Sequence, residues 1–209
     1  MILDEISSAL QAGNARKSKE LVQQAIDEGI PVQDILSKGL LSGMDIIGKK
    51  FKNNEIFIPE VLISARAMNQ SVELLKPFFE SSGVKTVGRV CLGTVQGDLH
   101  DIGKNLVKLM LESKGFEVID LGTDVSAEMF VNCAVEKNCP IICCSALLTT
   151  TRPIMADVVK ILDSEKLRDR IKILIGGAAV SEDFCKEIGA DFYTPDATSA
   201  AETALSLMR

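Results

Sequence analysis

Asp98 and His100 stand one residue apart in the run Gly93-Thr94-Val95-Gln96-Gly97-Asp98-Leu99-His100-Asp101-Ile102-Gly103-Lys104-Asn105, and His100 is the only histidine of the chain. A carboxylate this close to an imidazole can accept one ring N–H and so set the tautomer. The other ring nitrogen is then free to act as a base or to bind a metal. Taken alone, such a pair is more often a surface hydrogen bond between near neighbours. The surrounding glycines raise the question of phosphate binding, and spacing answers it. Gly97 and Gly103 are separated by five residues, one more than a P-loop allows, and Asn105 follows Lys104 where a magnesium-binding hydroxyl should stand. Nor do Gly93, Gly97 and Gly103 form the GxGxxG of a dinucleotide site.

Two further stretches carry small or hydroxylic residues. Ser145-Ala146-Leu147-Leu148-Thr149-Thr150-Thr151 and Gly176-Gly177-Ala178 each follow an apolar run. At the ends of neighbouring strands they would leave a slot between the sheet and the following helix. Their ordinary roles are turn punctuation and helix capping. The six cysteines contain no CxxC, and one histidine cannot complete a Cys/His zinc site. Cys91, Cys143 and Cys144 lie inside apolar runs, where cysteine behaves as a small core hydrophobe.

The elements that must position these residues follow from periodicity. Over the first 80 or so residues the pattern is helical only. A short helix near residues 3–12 comes first, then one carrying Leu21, Val22, Ala25 and Ile26, ended by Gly29-Ile30-Pro31. A long helix from Pro31 carries Ile35, Leu36, Leu40, Met44 and Ile47, and one led by Pro59 has the stripe Leu62, Ala65, Met68, Val72 and Leu75. Short connections make this a four-helix antiparallel bundle, residues 1–82. After a linker at about residues 81–86, apolar runs alternate with helical segments. The runs are Val87–Val95, Phe116–Leu121, Ile141–Leu147, Ile171–Ile175 and Asp191–Tyr193; the helices are Ile102–Lys114, Ala127–Lys137, Pro153–Leu162, Ser181–Ile188 and Ala197–Met208. That pattern predicts an α/β domain over residues 86–209, a five-stranded parallel Rossmann- or flavodoxin-like sheet preceded by the helical cap. In such a sheet ligands bind beyond the carboxyl ends of the strands, near the switch point, which is where the Asp98–His100 loop falls.

Composition excludes several classes. The chain has 209 residues, 46% hydrophobic and 25% charged, an ordinary globular balance. Twenty-three Lys and Arg against 29 Asp and Glu leave a charge of −6, and aromatics amount to 4% with no Trp. No nucleic-acid or anionic-membrane surface is expected from that balance, nor a base-stacking platform. The apolar runs are strand-sized and the N-terminus MILDEISSAL lacks a signal peptide's basic start, so a cytoplasmic location is expected.

Together, Asp98-x-His100-x-x-Gly103, Ser145-x-Leu147 and Gly176-Gly177 resemble the signature of cobalamin-binding domains. The longer stretch 93–107 is similar to methionine synthase and to the corrinoid proteins of methyltransferase systems in methanogens and acetogens. Gly43-Met44, Gly48 and Phe51, then Glu55-x-Phe57-Ile58-Pro59-Glu60 and Ala65-Arg66-Ala67-Met68, resemble the cap bundle of the same proteins, so the likeness covers almost the whole chain. The resemblance implies a cobalamin or related corrinoid whose own benzimidazole base is displaced, with His100 as the lower axial cobalt ligand. Asp98 would hold the other ring nitrogen, and Thr151, where relatives have serine, would extend the hydrogen-bond chain. Gly103 would permit close backbone approach. Ser145, Leu147, Gly176 and Gly177 would line the slot for the nucleotide tail, with Asp101, Ile102 and Thr149 completing the cofactor-binding set. Phe51 and Ile58 would lie over the upper, methyl-bearing face, unless they are cap core.

The function so implied is a methyl-carrying corrinoid protein, not a complete enzyme alone. It would shuttle a methyl group on cobalt, between Co(I) and methyl-Co(III), from a substrate-specific methyltransferase to a second one serving a carrier such as tetrahydrofolate or coenzyme M. A reductive activase would be a further partner. Methanol, methylamines, glycine betaine and methoxylated aromatics are the donors of such systems, and no residue chooses among them. The rival readings are a cobalamin-dependent regulator, for which residues 1–80 offer no basic recognition helix, a flavodoxin-like domain for another small ligand, and a mutase subunit, which would lack this cap.

Overall fold

The computed structural model describes residues 1–82 and 86–208, and the side chains of 79–82 are outside the description, as is most of the expected linker. The chain divides into two compact units, Met1–Lys85 and Thr86–Arg209.

In the first unit, α1 (Ile2–Gln11) stops before Gly13, whose φ of +66° favours a residue without Cβ, and α2 (Ala15–Asp27) stops in the same way before Gly29 at +73°. The Asn14 side chain starts α2 by accepting the Lys17 N–H. Behind Pro31, α3 (Val32–Asp34) runs into a π-helical stretch, Ile35–Leu41, and on into α4 (Ser42–Lys52). This is the long helix expected from Pro31, with a widened middle. Its buried residues Ile35, Gly39, Gly43 and Ile47 recur every fourth position, and such a row drifts around a helix of about 3.6 residues per turn. The wider π turn takes up the excess and keeps Gly39 and Gly43 against Ile6 and Leu10 of α1. The last helix, α5 (Ile58–Ser82), buries Val61, Ser64, Ala65, Met68, Ser71 and Leu75. Leu62, placed by periodicity in that stripe, is 52% exposed: the buried row starts one residue earlier, at Val61.

The second unit is a five-stranded, all-parallel sheet in the order β2-β1-β3-β4-β5, the flavodoxin-like arrangement. Its strands are β1 (Arg89–Thr94), β2 (Glu117–Asp120), β3 (Ile141–Ser145), β4 (Lys172–Gly176) and β5 (Phe192–Tyr193). They alternate with α6 (Ile102–Ser113), α7 (Ala127–Glu136), α8 (Ile154–Ser164), α9 (Glu182–Ile188) and α10 (Ala197–Leu207). Alternate strand residues serve opposite faces. Cys91, Ile142, Cys144, Ile173 and Ile175 join a core with Phe130, Val158, Leu162 and Phe184 of the α7–α9 side. The topological switch falls between β1 and β3, so the loops leaving those two strands come together.

Two strands end earlier than the apolar runs suggest. β3 stops at Ser145 rather than Leu147 because the Leu147 and Leu148 N–H groups donate to the Asp98 carboxylate instead of a strand. β1 stops at Thr94, beyond which Val95 keeps an isolated bridge to Val125 and a hydrogen bond from its N–H to the Ser145 carbonyl.

Candidate functional site

Asp98 lies in the loop after β1 and is completely buried, although it is an acid in a connecting segment. Its two oxygens account for this. Oδ1 sits 2.6 Å from His100 Nδ1 and accepts the His100 backbone N–H at 3.1 Å. Oδ2 accepts the Leu147 N–H at 2.8 Å, the Leu148 N–H at 3.3 Å and the Thr151 hydroxyl at 3.1 Å. Burial pushes the carboxyl pKa up, but the hydrogen bonds from the His100 ring, the Leu147 and His100 amides and the Thr151 hydroxyl outweigh it and hold the group well below the ordinary carboxylate range. Asp98 is therefore a fixed anion. The proton of a neutral His100 ring belongs on Nδ1, against that anion, which leaves the Nε2 lone pair free. The imidazole itself is half-exposed, its side chain 53% accessible.

The loops bring most of the expected residues together. Thr151 is 8% exposed and closes the relay His100–Asp98–Thr151. Ser145, Gly176, Gly177 and Gly103 line one cavity of about 130 Å³ at the carboxyl ends of β1, β3 and β4, shared with α6 and α10. Leu147 does not line it: its amide holds Asp98 and its side chain is 42% exposed. Asp101 and Thr149 are exposed, and Asp101 Oδ2 accepts an Asn105 side-chain N–H at 3.2 Å. Ile102 and Leu99, at 71% and 73% exposure, leave apolar surface on either side of His100. Phe51 and Ile58 belong to the first unit, where Phe51 is half-buried and Ile58 is exposed beside exposed Phe57 and Leu62.

The three glycines of the slot differ in what requires them. A Cβ at Gly177, whose φ is +115°, would collide with the Ala146 carbonyl, and one at Gly176 would come within 2.9 Å of the Thr194 carbonyl. The fold itself demands both. At Gly103 an added Cβ would meet nothing of the protein within 4 Å, so packing within the protein does not require that glycine.

Sequence reasoning missed several parts of the site. The Thr94 hydroxyl donates to the His100 carbonyl at 2.9 Å, Asp124 grips the loop at Gly97, and buried Lys104 meets Asp120 at 2.7 Å. Lys104 is visible as a charge inside an otherwise amphipathic helix, but neither aspartate carries a motif.

These residues suit a flat macrocycle carrying its own metal. Among the described residues no group of three or more His, Cys, Asp or Glu could hold a metal ion. A metal at His100 would find no such set of further protein ligands among the described residues. Leu99 and Ile102 leave exposed apolar surface beside His100, and the cavity opens at the ends of β1, β3 and β4.

The comparisons with known proteins agree. The B12 binding domain family matches residues 88–205, and a second B12 binding domain family matches residues 2–76. The chain is 42% identical to a monomethylamine corrinoid protein of Methanosarcina acetivorans, over 100% of this chain and 98% of the other. It is 40% identical to a corrinoid protein of Desulfitobacterium hafniense, over 99% and 97%. Among solved structures, the methanol:cobalamin methyltransferase complex of Methanosarcina barkeri aligns with a TM-score of 0.88 at 32% identity, covering 99% of this chain and 79% of that one. A cobalamin-binding protein of Desulfitobacterium hafniense aligns at 0.81 and 30%, covering 98% and 97%. With both units matched and both relatives aligned nearly end to end, the chain belongs to the corrinoid proteins, the family built on B12 binding domains.

Proposed function

We propose that the chain carries methyl groups on a corrinoid cobalt, taking them from a substrate-specific methyltransferase and delivering them to a second methyltransferase. The observation that carries this reading is the half-exposed His100, its Nδ1 held by a buried anion and its Nε2 free. Bound in the site, the corrinoid supplies a cobalt that accepts a methyl group in its lowest oxidation state and yields it to another nucleophile. His100 Nε2 is the lower ligand. Asp98 keeps the Nδ1 proton in place and makes the ring a better donor, and Thr151 with the Leu147 and Leu148 amides keeps Asp98 ionised. Gly103, Ser145, Gly176 and Gly177 receive the nucleotide tail. Asp101, Ile102 and Thr149 lie at the rim, and Phe51 and Ile58 belong to the helical unit. A reductive activase is the third partner, and the whole system works in the cytoplasm; among the described residues no helix is long and apolar enough to cross a membrane.

Relatives named for monomethylamine and dimethylamine, at 42% and 39% identity, make methylated amines the first donors to try. The decisive test loads the purified protein with hydroxocobalamin, removes free cofactor, and records the Co(II) EPR spectrum of wild type and His100→Ala. A signal split by one nitrogen, with a splitting that changes on ¹⁵N-histidine labelling, is expected in wild type, and no effect of that labelling in the variant. A protein that retains no cobalt chromophore would exclude the corrinoid reading of this site.

A further inference from the structure

The end of β2 and the connection from β2 to α7 touch the chain on both sides of His100. Asp124, in that connection, has φ +58°, the left-handed region that residues with a side chain occupy at a cost. From there its backbone N–H donates to the Asp98 carbonyl at 3.1 Å, and its Oδ1 accepts the Gly97 N–H at 2.7 Å. The next residue, Val125, donates its N–H to the Thr94 carbonyl at 3.0 Å, and the Thr94 hydroxyl in turn holds the His100 carbonyl. Beyond His100, Asp120 at the end of β2 holds Lys104 in the first turn of α6, at 2.7 and 2.9 Å. Lys104 is 3% exposed, so that ion pair fixes the start of the helix. An aspartate that merely shapes its own turn bonds to residues near it; the side chain of Asp124 reaches a backbone amide 27 residues away, next to Asp98.

We propose that Asp124 is a positioning residue for His100. By holding the Gly97 N–H with its carboxylate and the Asp98 carbonyl with its own N–H, it sets the Asp98 carboxylate where Oδ1 meets Nδ1, which keeps the lone pair on Nε2. The consequence for cobalt rests on His100 being the axial ligand, but the positioning itself acts in the cofactor-free protein and is measured there.

Because the chain has one histidine, a long-range ¹H–¹⁵N spectrum at alkaline pH shows a single imidazole. In wild type the ring nitrogens are expected to report the Nδ1–H tautomer alone. Asp124→Gly keeps the left-handed backbone and removes the carboxylate, so its ring nitrogens should shift toward the positions of mixed tautomers. Asp124→Asn keeps an Oδ1 acceptor and tolerates the backbone, and should restore the wild-type pattern. Asp124→Ser, with a shorter acceptor, should shift in the same direction as glycine and decides the matter if the glycine variant does not fold. Wild-type ring shifts in folded Asp124→Gly or Asp124→Ser would overturn the proposal. After loading with hydroxocobalamin, the histidine-split part of the Co(II) EPR signal should fall in Asp124→Gly and return in Asp124→Asn. A wild type with no split signal would instead overturn the axial-ligand reading, while the spectrum of the cofactor-free protein still judges Asp124.

Discussion

A single buried carboxylate organises the site. Asp98 can remain ionised without solvent because two side chains and three backbone amides donate to it, and losing that charge would leave those donors unpaired. Asp98→Asn presents an amide N–H to some of the same donors. It is expected to lower affinity for hydroxocobalamin about 10–100-fold, read in a spectrophotometric titration, with the histidine-split EPR signal weakened. Thr151→Ser keeps the hydroxyl and should leave both readings near wild type, whereas Thr151→Val should move them in the direction of Asp98→Asn. The cysteines make a contrasting residue-scale prediction. All six are buried, and burial raises the Cys139 thiol to about 11 and the Cys143 thiol to about 12. A thiol reagent at pH 8 should find almost no fast-reacting cysteine in the native protein and all six after unfolding; a rapidly titrated thiol would contradict the packing.

At the scale of elements, the loops after β1, β2, β3 and β4 do what no one of them could do alone. The loop after β3 stabilises the anion, the loop after β2 holds the backbone around it, and Gly177 lets the loop after β4 pass close to Ala146. Gly177→Ala combines a φ of +115° with a clash against the Ala146 carbonyl, and is expected to destabilise the α/β unit by about 2–4 kcal/mol, measured by urea unfolding. Gly103→Ala meets no protein atom, so stability should change little while cobalamin binding weakens. The Lys104–Asp120 pair predicts a pH dependence. Burial raises the Asp120 carboxyl, but Lys104 and the Gly122 amide lower it further, so its folded pKa lies below the unfolded one. Its contribution is then complete above about pH 4 and lost as pH falls through the folded value. Asp120→Asn should lower stability at pH 7 and flatten its decline below about pH 4. An unchanged acid limb in the variant would count against the pair.

For the whole molecule, the core around Phe130 draws all its residues from positions 91–185, inside the second unit. A fragment of residues 86–209 is therefore expected to unfold cooperatively in urea on its own and to keep the cavity lined by Ser145, Gly176 and Gly177; a fragment without a cooperative transition would show that it needs the helical unit. The motif in the first β–α loop was legible because it combines the only histidine with an unusual glycine spacing. The helical unit was legible by periodicity, apart from Leu62 and the π-helical stretch. A one-residue shift in a helical stripe is invisible when Val61 and Leu62 are both apolar, and only packing against neighbouring helices chooses between them.

The sequence by itself determined the order of helices and strands and the division between a helical and an α/β part, because apolar periodicity and glycine placement are local properties of the chain; the family came from the likeness of its joint motifs to a known signature. It also named His100 and Asp98. Only the tertiary structure decided how Asp98 is held, since its partners Leu147, Leu148 and Thr151 arrive from β3 across the switch point, about 50 residues away. It also decided that Leu147 contributes an amide rather than a side chain, that Gly176 and Gly177 are required by neighbouring backbone, and that Asp124 bears on the ligand loop. Backbone N–H groups carry no residue identity, and parallel sheets join strands that are distant in sequence, so contacts of this kind leave no signature in the order of the amino acids.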